Sequence, residues 1–280
     1  MSDVIPDVVR DLLPDATSAR PMSGGDLGDA WWVETPDGAR VVKAYPDPAP
    51  GLVAAEAAGL ESLAVDGGPP VPTVHATTGT ALAMDAVPAG RPSASSAQRF
   101  GRELAALHRT AAPTFGAVPP GGPEWGFLGS VRLPADSYDD WPSLWRARTT
   151  HLLSLMSPDR ELREALGRLD ARLEHVAGDP VPPARLHGDL WSGNVVWAPD
   201  RAWLVDPAAH GGHPETDLAL LALFGLPELA RVQDAWAEAY GPADGWRERT
   251  ALHQVHTLLF HEHAFGGYRS SVLAAVRRYL

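Results

Sequence analysis

Residues 185–207 read Arg-Leu-His-Gly-Asp-Leu-Trp-Ser-Gly-Asn-Val-Val-Trp-Ala-Pro-Asp-Arg-Ala-Trp-Leu-Val-Asp-Pro, and the order of their polar residues decides the fold. Asp189 and Asn194 stand five apart in a segment opened by His187. Two short apolar runs follow, Val195 to Trp197 and Ala202 to Val205, and Pro199-Asp200-Arg201 between them predicts a hairpin turning near Asp200. Folding about that turn brings Asn194 level with Asp206. An amide oxygen beside a carboxylate makes a hard-oxygen site suited to magnesium carried on nucleotide phosphates. An Asp placed before the Asn at this spacing is the group that orients an attacking hydroxyl in phosphoryl transfer. Singly, the Asp reads as a cap, the Asn as turn chemistry and the His as core. Jointly, the order His, Asp, Asn, hairpin, Asp favours chemistry.

The chain has 280 residues, 45% of them hydrophobic, enough for a large core and two lobes or domains. It has no cysteine, so disulfides, thiolate metal sites and a catalytic thiol are excluded. A formal charge of -12 disfavours sequence-independent binding to nucleic acid, which needs basic surface. An anionic nucleotide must then be held by local features: a lysine, metal ions and backbone amides. The first residues, Met-Ser-Asp-Val-Ile-Pro, lack a basic-then-apolar targeting pattern, and the longest apolar run, Leu218 to Leu226, is too short to span a bilayer. These features lead us to expect a soluble cytoplasmic protein with no membrane partner.

Residues 4–13 have helical spacing of apolar positions and are expected to cover an N-terminal sheet. A glycine-rich segment follows, with Gly24, Gly25 and Gly28, and then a hairpin of Trp31 to Thr35 and Ala39 to Tyr45 around Pro36-Asp37-Gly38. In that position the glycines suit a flap over phosphates, although alone they fit an ordinary loop equally well. Strand alternation places Lys43 on the same face as Val41 and Tyr45. Leu52, Glu56, Leu60 and Leu63 fall on one helix face, which sets the Glu56 carboxylate in an apolar stripe. A charge there snorkels to water or meets an opposite charge, and Lys43 is the nearest candidate in the chain.

Ala81 to Val87 reads as a strand ended by Pro88-Ala89-Gly90-Arg91-Pro92, so a hinge is expected at 84–92, between an N-terminal lobe 1–87 and a C-terminal lobe 88–280. Met84, Asp85 and Val87 would then line a nucleotide pocket. Beyond it, Phe100, Leu104 and Leu107 mark a helix ending near His108, read as a packing or capping residue, and a Pro/Gly-rich loop runs from Pro113 to Gly129. Trp141 to Met156 and Pro158 to Val176 read as two helices. Asp217 opens a buried helix, either as a first-turn carboxylate or as a brace for the 187–194 loop. His253 and His256 share a helix face in the C-terminal region, but no carboxylate and third ligand follow at metallohydrolase spacing, so zinc is disfavoured.

With Lys43, Glu56, Asp189, Asn194 and Asp206 in this order, the chain resembles the protein-kinase-like phosphotransferases that include aminoglycoside and choline kinases. Asp206-Pro207-Ala208, in place of Asp-Phe-Gly, fits the small-molecule members of that fold. The closer resemblance is to the fructosamine-3-kinase, or ketosamine-3-kinase, family. It rests on His187 to Asn194, Asp206 to Ala208, Glu56 to Leu63, Phe127-Leu-Gly-Ser130 and Phe265-Gly-Gly-Tyr268. The Trp191-Ser192-Gly193 insert is its most specific part.

This resemblance implies an α+β, bilobal protein-kinase-like fold, with a small antiparallel-sheet N-lobe and a larger, mainly helical C-lobe. It implies ATP-dependent phosphorylation of the 3-hydroxyl of a ketosamine, whose phosphate ester then decomposes and frees the amine. Asp189 would be the base, Asn194 and Asp206 the Mg2+ ligands, Lys43 the phosphate contact held by Glu56, and Trp191 a wall against the sugar. Some family members carry a cysteine in the glycine-rich loop that permits redox control; this chain has Asp26 there, so such control is not available to it. Two other readings stand beside this one: a kinase of an aminoglycoside or amino alcohol, and a nucleotide-binding pseudokinase. The complete set of base, metal ligands and lysine argues against the last.

Overall fold

A computed structural model describes residues 5–22 and 28–280. The expected N-terminal hairpin forms as β2 (Asp29–Thr35) and β3 (Gly38–Ala44), closed at Gly38, whose φ of 114° suits glycine at the turn. With β1 (Ser18–Pro21), β4 (Val74–Thr77) and β5 (Ala81–Asp85) they make an antiparallel sheet in the order β1-β2-β3-β5-β4. Alternation gives the sheet two buried faces. Val33, Val42, Ala81 and Ala83 pack against Val9 and Leu12 of α1 (Asp7–Leu12). On the other face Val41, Leu82 and Met84 pack against Leu52, Val53 and Leu60 of α2 (Leu52–Leu63). Lys43 lies opposite Leu82 in the ladder, hence on the α2 side. β1 escaped the sequence pattern because Ser-Ala-Arg-Pro is a short edge strand with no apolar alternation.

From residue 94 onward the chain is mainly helical. α3 (Ala94–Arg109) starts at a Ser93 capping box closed by Ser96 and buries Phe100, Leu104 and Leu107. The segment after it corrects the expected plain loop: Gly126–Leu128 (β6) and Val131–Leu133 (β7) pair as a hairpin too short to show alternation. α4 (Trp141–Leu155) forms as expected. The single helix expected over 158–176 divides into α5 (Arg160–Asp170) and α6 (Leu173–Val176). Leu162, Leu166, Leu169 and Leu173 keep helical spacing across the break and so hid it.

β8 (Ala184–Leu186), the hairpin β9 (Val195–Trp197) and β10 (Ala202–Leu204), and β11 (His210–Gly212) frame the 187–194 loop. α7 (Glu215–Leu223), α8 (Leu229–Tyr240), α9 (Thr250–Phe265) and α10 (Arg269–Arg277) complete the chain. One core joins α3, α7, α8 and the β9–β10 hairpin, and takes Leu63 from α2; another joins α4, α5, α9 and α10. The result is α+β and bilobal, a small sheet lobe beside a larger helical one. Leu204 N donates to Pro70 O at 2.9 Å and Arg185 Nη1 to Ser62 O at 2.5 Å, which tie the two lobes together, while Gly90 N of the 84–92 segment donates to Trp197 O within the second.

No helix among the described residues is long and apolar enough to cross a membrane. The α3–α8 contact yields a test. A Cβ on Gly101 would lie 2.3 Å from Val232 O and 2.9 Å from Ala235 Cβ, whereas Gly167 of α5 has open space around it. Gly101→Ala should therefore lower stability by about 1–3 kcal/mol. Gly167→Ala should raise it by about 0.5–1 kcal/mol through helix propensity. Urea unfolding of the two variants checks both, and equal midpoints would refute the contact.

Candidate active site

The 187–194 loop is held from behind by one buried carboxylate. His187 N and Gly188 N donate to Asp217 Oδ2 and Oδ1 at 2.8 and 3.0 Å. His108 Nε2 donates to the same Oδ2 at 3.1 Å, while its Nδ1 accepts from Trp236 Nε1 at 3.0 Å, which fixes the tautomer. Burial pushes the Asp217 carboxyl up, but the His108 bond and the backbone N–H groups outweigh it and hold the group below the ordinary range. Asp217 thus braces the loop rather than merely opening α7, and His108 is a bonded link rather than simple packing. Gly188 has φ +81°, and a Cβ there would sit 2.1 Å from Ala208 O, so the loop lies directly on the segment after Asp206. His187 is fully buried; Nε2 donates to Val205 O at 2.9 Å and Nδ1 accepts from Asp189 N at 3.3 Å. Burial holds its pKa below the ordinary value, consistent with a neutral ring.

These supports set the polar groups of the cleft. Val205 N donates to Asn194 O at 3.1 Å, which closes the β9–β10 hairpin and brings Asn194 and Asp206 together. Asn194 Nδ2 donates to Asp189 O at 2.8 Å and Asp189 Oδ2 at 3.2 Å. The amide nitrogen is thereby committed to the loop; among the described residues no protein donor engages Asn194 Oδ1 or Asp206 Oδ2. Asp206 has φ +55°, an uncommon value that Asp tolerates better than most residues. Two hard oxygens with no protein donor, beside Asp189, form a donor set that fits a magnesium ion.

Lys43 Nζ lies between Glu56 Oε1 at 2.7 Å and Asp206 Oδ1 at 2.8 Å, and Tyr45 Oη donates to Glu56 Oε2 at 2.6 Å. Burial disfavours the ammonium, but the two carboxylates outweigh it and hold Lys43 well above the usual lysine range. Burial beside Glu56 likewise raises Tyr45. The Asp189 carboxyl is pushed up to about 7, first by burial and then by Asp206 and Asp217, against the Asn194 bond that pulls it down. Asp189, Asn194, Asp206, Lys43, Glu56 and Gly28 all line one cavity of about 1160 Å³ between the lobes.

Trp191 lines it too, with its ring folded over Gly193, where a Cβ would be 2.2 Å from the indole. Gly24 and Gly25 lie outside the described residues, as does Asp26. Met84, Asp85 and Val87 depart from expectation, for none lines this cavity. Met84 is packed in the core between sheet and α2, and Asp85 accepts from Thr73 N at 3.1 Å and pairs with His75 at 2.7 Å and Arg40 at 3.5 Å. Met84 shares the α2 face with Lys43, but its side chain is taken up in the core beneath α2 and does not line the cavity. Tyr45 was missed as a support of Glu56, although its place on the Lys43 face was legible. At the C-terminal histidines, His253 meets His213 and Glu215 rather than His256. Arg249 donates to both Glu215 oxygens at 2.9 and 2.6 Å, so that carboxylate already has a cationic partner.

The family model described as fructosamine kinase matches residues 6–280. This chain belongs to the fructosamine kinase family. It is 35% identical over 263 residues to a protein of Thermus thermophilus described as a probable ketoamine kinase, covering 92% of each. It is 32% identical over 149 residues to mouse ketosamine-3-kinase, about half of each chain (50% and 48%). A crystal structure from Thermobifida fusca, of a candidate fructosamine-3-kinase, matches with TM-score 0.89 and 38% identity over 100% of this chain and 99% of that one. The aminoglycoside phosphotransferase APH(4)-Ia matches with TM-score 0.65 and 17% identity over 98% of each, which shows the shared protein-kinase-like fold. As a fructosamine kinase family member, the chain is a phosphotransferase that acts on hydroxyl groups.

The brace in this family member is open to test. Asp217→Ala leaves two buried N–H groups and His108 without an acceptor and should cost about 3 kcal/mol. Because the folded-state pKa of Asp217 is depressed, its contribution is present above the ordinary carboxylate range and lost as pH falls. Urea unfolding at neutral and acid pH checks this: the difference between wild type and variant should shrink in acid, and a loss below about 1 kcal/mol at neutral pH would remove the brace.

Proposed function

We propose that the chain transfers the γ-phosphoryl group of ATP to the 3-hydroxyl of a ketosamine, with Asp189 as the base. The observation that carries this reading is the convergence of Asp189, Asn194, Asp206, Lys43 and Glu56 at one end of a single interlobe cavity. The names of the relatives support the acceptor class. Asn194 Oδ1 and the Asp206 carboxylate would hold magnesium. When bound, magnesium neutralises charge on the transferred phosphoryl group.

The chain's own residues supply the rest. Asp189 accepts a hydrogen bond from the acceptor hydroxyl and takes its proton as the bond to phosphorus forms. Asn194 Nδ2, bonded to Asp189 Oδ2, fixes the direction in which that carboxylate points. Lys43, exchanging Asp206 for phosphate oxygens, keeps Glu56 as its anchor, and Tyr45 holds the second Glu56 oxygen so that the carboxylate does not swing away. Gly28 stands just before β2, its Cα so close to Ala44 O that a side chain would clash, and it lines the cavity where the phosphates would lie.

The first test is ADP release with magnesium and ATP, comparing a fructose-derived amine such as fructosyl-lysine with an aminoglycoside and with no acceptor. Turnover only with the ketosamine is expected; turnover only with the aminoglycoside would replace the acceptor class. Asp189→Asn should lower kcat roughly a hundredfold or more with little change in ATP affinity, and near-normal kcat would refute the base. The base acts ionised, and its pKa is pushed up to about 7 in the free protein. At limiting nucleotide, kcat/KM should therefore fall about tenfold per unit below that pH.

A further inference from the structure

The interlobe cavity has two chemically different ends. Its carboxylates, Glu56, Asp189 and Asp206, with Asp29 at the edge, belong to the phosphoryl-transfer end. The other end is a strip of rings that begins at Trp191, two residues past Asp189. Trp191 meets Phe224 edge-on with centroids 6.1 Å apart, and Phe224 meets His261 at 5.1 Å. His261 in turn meets Phe265 at 5.6 Å and Tyr268 at 5.1 Å. The rings come from the 187–194 loop, the end of α7, α9 and the turn before α10, so the strip is a product of the tertiary structure.

Two features mark the strip as a binding surface rather than core. Trp191, Phe224 and Phe265 are 39%, 39% and 60% exposed, and all three line this one cavity. Large apolar side chains left open together, continuous with a catalytic cleft, mark a ligand surface. The strip is also poor in cations. Among the described residues lining the cavity the basic side chains are Lys43, already held by Glu56 and Asp206, and the histidines His261 and His263; Arg132 lies over the lining Trp125 ring at 5.8 Å, away from the strip's own ring contacts, with its Nη2 donating to Pro50 O. His261 donates from Nδ1 to Thr257 O at 2.8 Å, and burial pushes its pKa down, so it is uncharged near neutral pH.

This charge pattern separates acceptors by what their nitrogen carries. In a ketosamine the nitrogen sits on the sugar's first carbon, close to the phosphorylated hydroxyl, and is a secondary ammonium at neutral pH. Ring faces attract such a cation and pack against an apolar substituent. A carboxylate on the carbon next to that nitrogen would lie over the negative faces of the same rings, and among the described residues no arginine or lysine lies over any ring of the strip to receive it.

Resting on the function proposed above, we infer that the strip from Trp191 through Phe224 and His261 to Phe265 and Tyr268 is the subsite for the amine substituent of the acceptor, and that it selects ketosamines of amines lacking a carboxylate beside the nitrogen. Side-chain-linked lysine and simple aryl- or alkylamines fit this description; amino acids linked through their α-nitrogen do not.

The test uses three deoxyfructosyl compounds, made from methylamine, phenethylamine and phenylalanine. The last two differ only in the carboxylate. The phenethylamine compound should have a kcat/KM at least about tenfold above that of the phenylalanine compound, mainly through KM, and above that of the methylamine compound as well. Phe265→Ala and Phe224→Ala, both at exposed positions, should bring the phenethylamine-to-methylamine ratio toward one, with thermal melts confirming that the variants fold. Equal or better use of the phenylalanine compound overturns the inference. So does turnover of the methylamine compound alone. No turnover of any of the three, with ATP still bound, would instead sink the ketosamine kinase reading itself and take the subsite with it.

Discussion

A buried ammonium held between two carboxylates from different lobes is the constraint on which this structure depends. Lys43 Nζ sits 2.7 Å from Glu56 and 2.8 Å from Asp206, and neither partner is its neighbour in the chain. Removing either would leave charge in the cleft that the remaining groups do not balance, more severely for the buried Glu56 than for Asp206, whose side chain is 44% exposed. The triad therefore demands three things at once: β3 must turn Lys43 toward α2, α2 must turn Glu56 toward the sheet, and the β9–β10 hairpin must deliver Asp206 between them. Gly59 helps the last two meet, since its missing side chain lets α2 approach Pro207, to within 3.0 Å of where a Cβ would be. Stability is not what such a triad chiefly supplies, because desolvation consumes much of the Coulomb attraction. It fixes the relative placement of the two lobes at the point where, on the proposed reading, phosphate arrives.

The parts of this arrangement that were legible in the sequence share a physical property: each follows from a period or a spacing within one short segment. Lys43 and Glu56 announce themselves because each breaks an apolar row, one of period two and one of helical period. The hairpin from Asn194 to Asp206 is readable from two apolar runs and a turn. Asp217 stood between two readings because a first-turn carboxylate has the same local signature whether it faces solvent or a loop 30 residues away in sequence. The same limit explains Met84 and Asp85. Their strand was plain, and Met84 shares a face with Lys43, but whether a residue on that face reaches the cavity or fills the core under α2 depends on packing between segments. Strands of three residues, such as β6 and β7, offer no period to read.

The aromatic strip was invisible for a stronger reason. Trp191, Phe224, His261, Phe265 and Tyr268 come from segments that packing alone brings together, and each by itself has an ordinary structural reading. Only their shared exposure along one cavity gives them meaning as a set. The acidity of the chain, by contrast, was legible and misleading if used alone. A charge of -12 suggests attraction for any cationic acceptor. The cavity's carboxylates gather around Lys43 and Asp189, while among the described residues no arginine or lysine lies over the rings of the strip, so sign and position together, rather than net charge, set what can bind.

Anchoring and tuning meet in one charge. Asp217 must be ionised to accept from His187 N, Gly188 N and His108 Nε2 together, since a protonated carboxyl would turn one oxygen into a donor. Asp189 is pushed up to about 7 chiefly by burial, then by Asp206 and by this fixed negative charge behind the loop. A base needs this poise: a carboxylate of ordinary acidity would hold a hydroxyl proton too weakly, and one raised much further would be protonated at neutral pH. The brace cannot be made neutral without altering the base it supports. An amide at position 217 would lose one acceptor and at the same time let Asp189 return toward ordinary carboxylate acidity. The geometry of the loop and the proton affinity of its aspartate are for this reason coupled, through a residue that holds the loop from behind and adds its charge to the larger effect of burial.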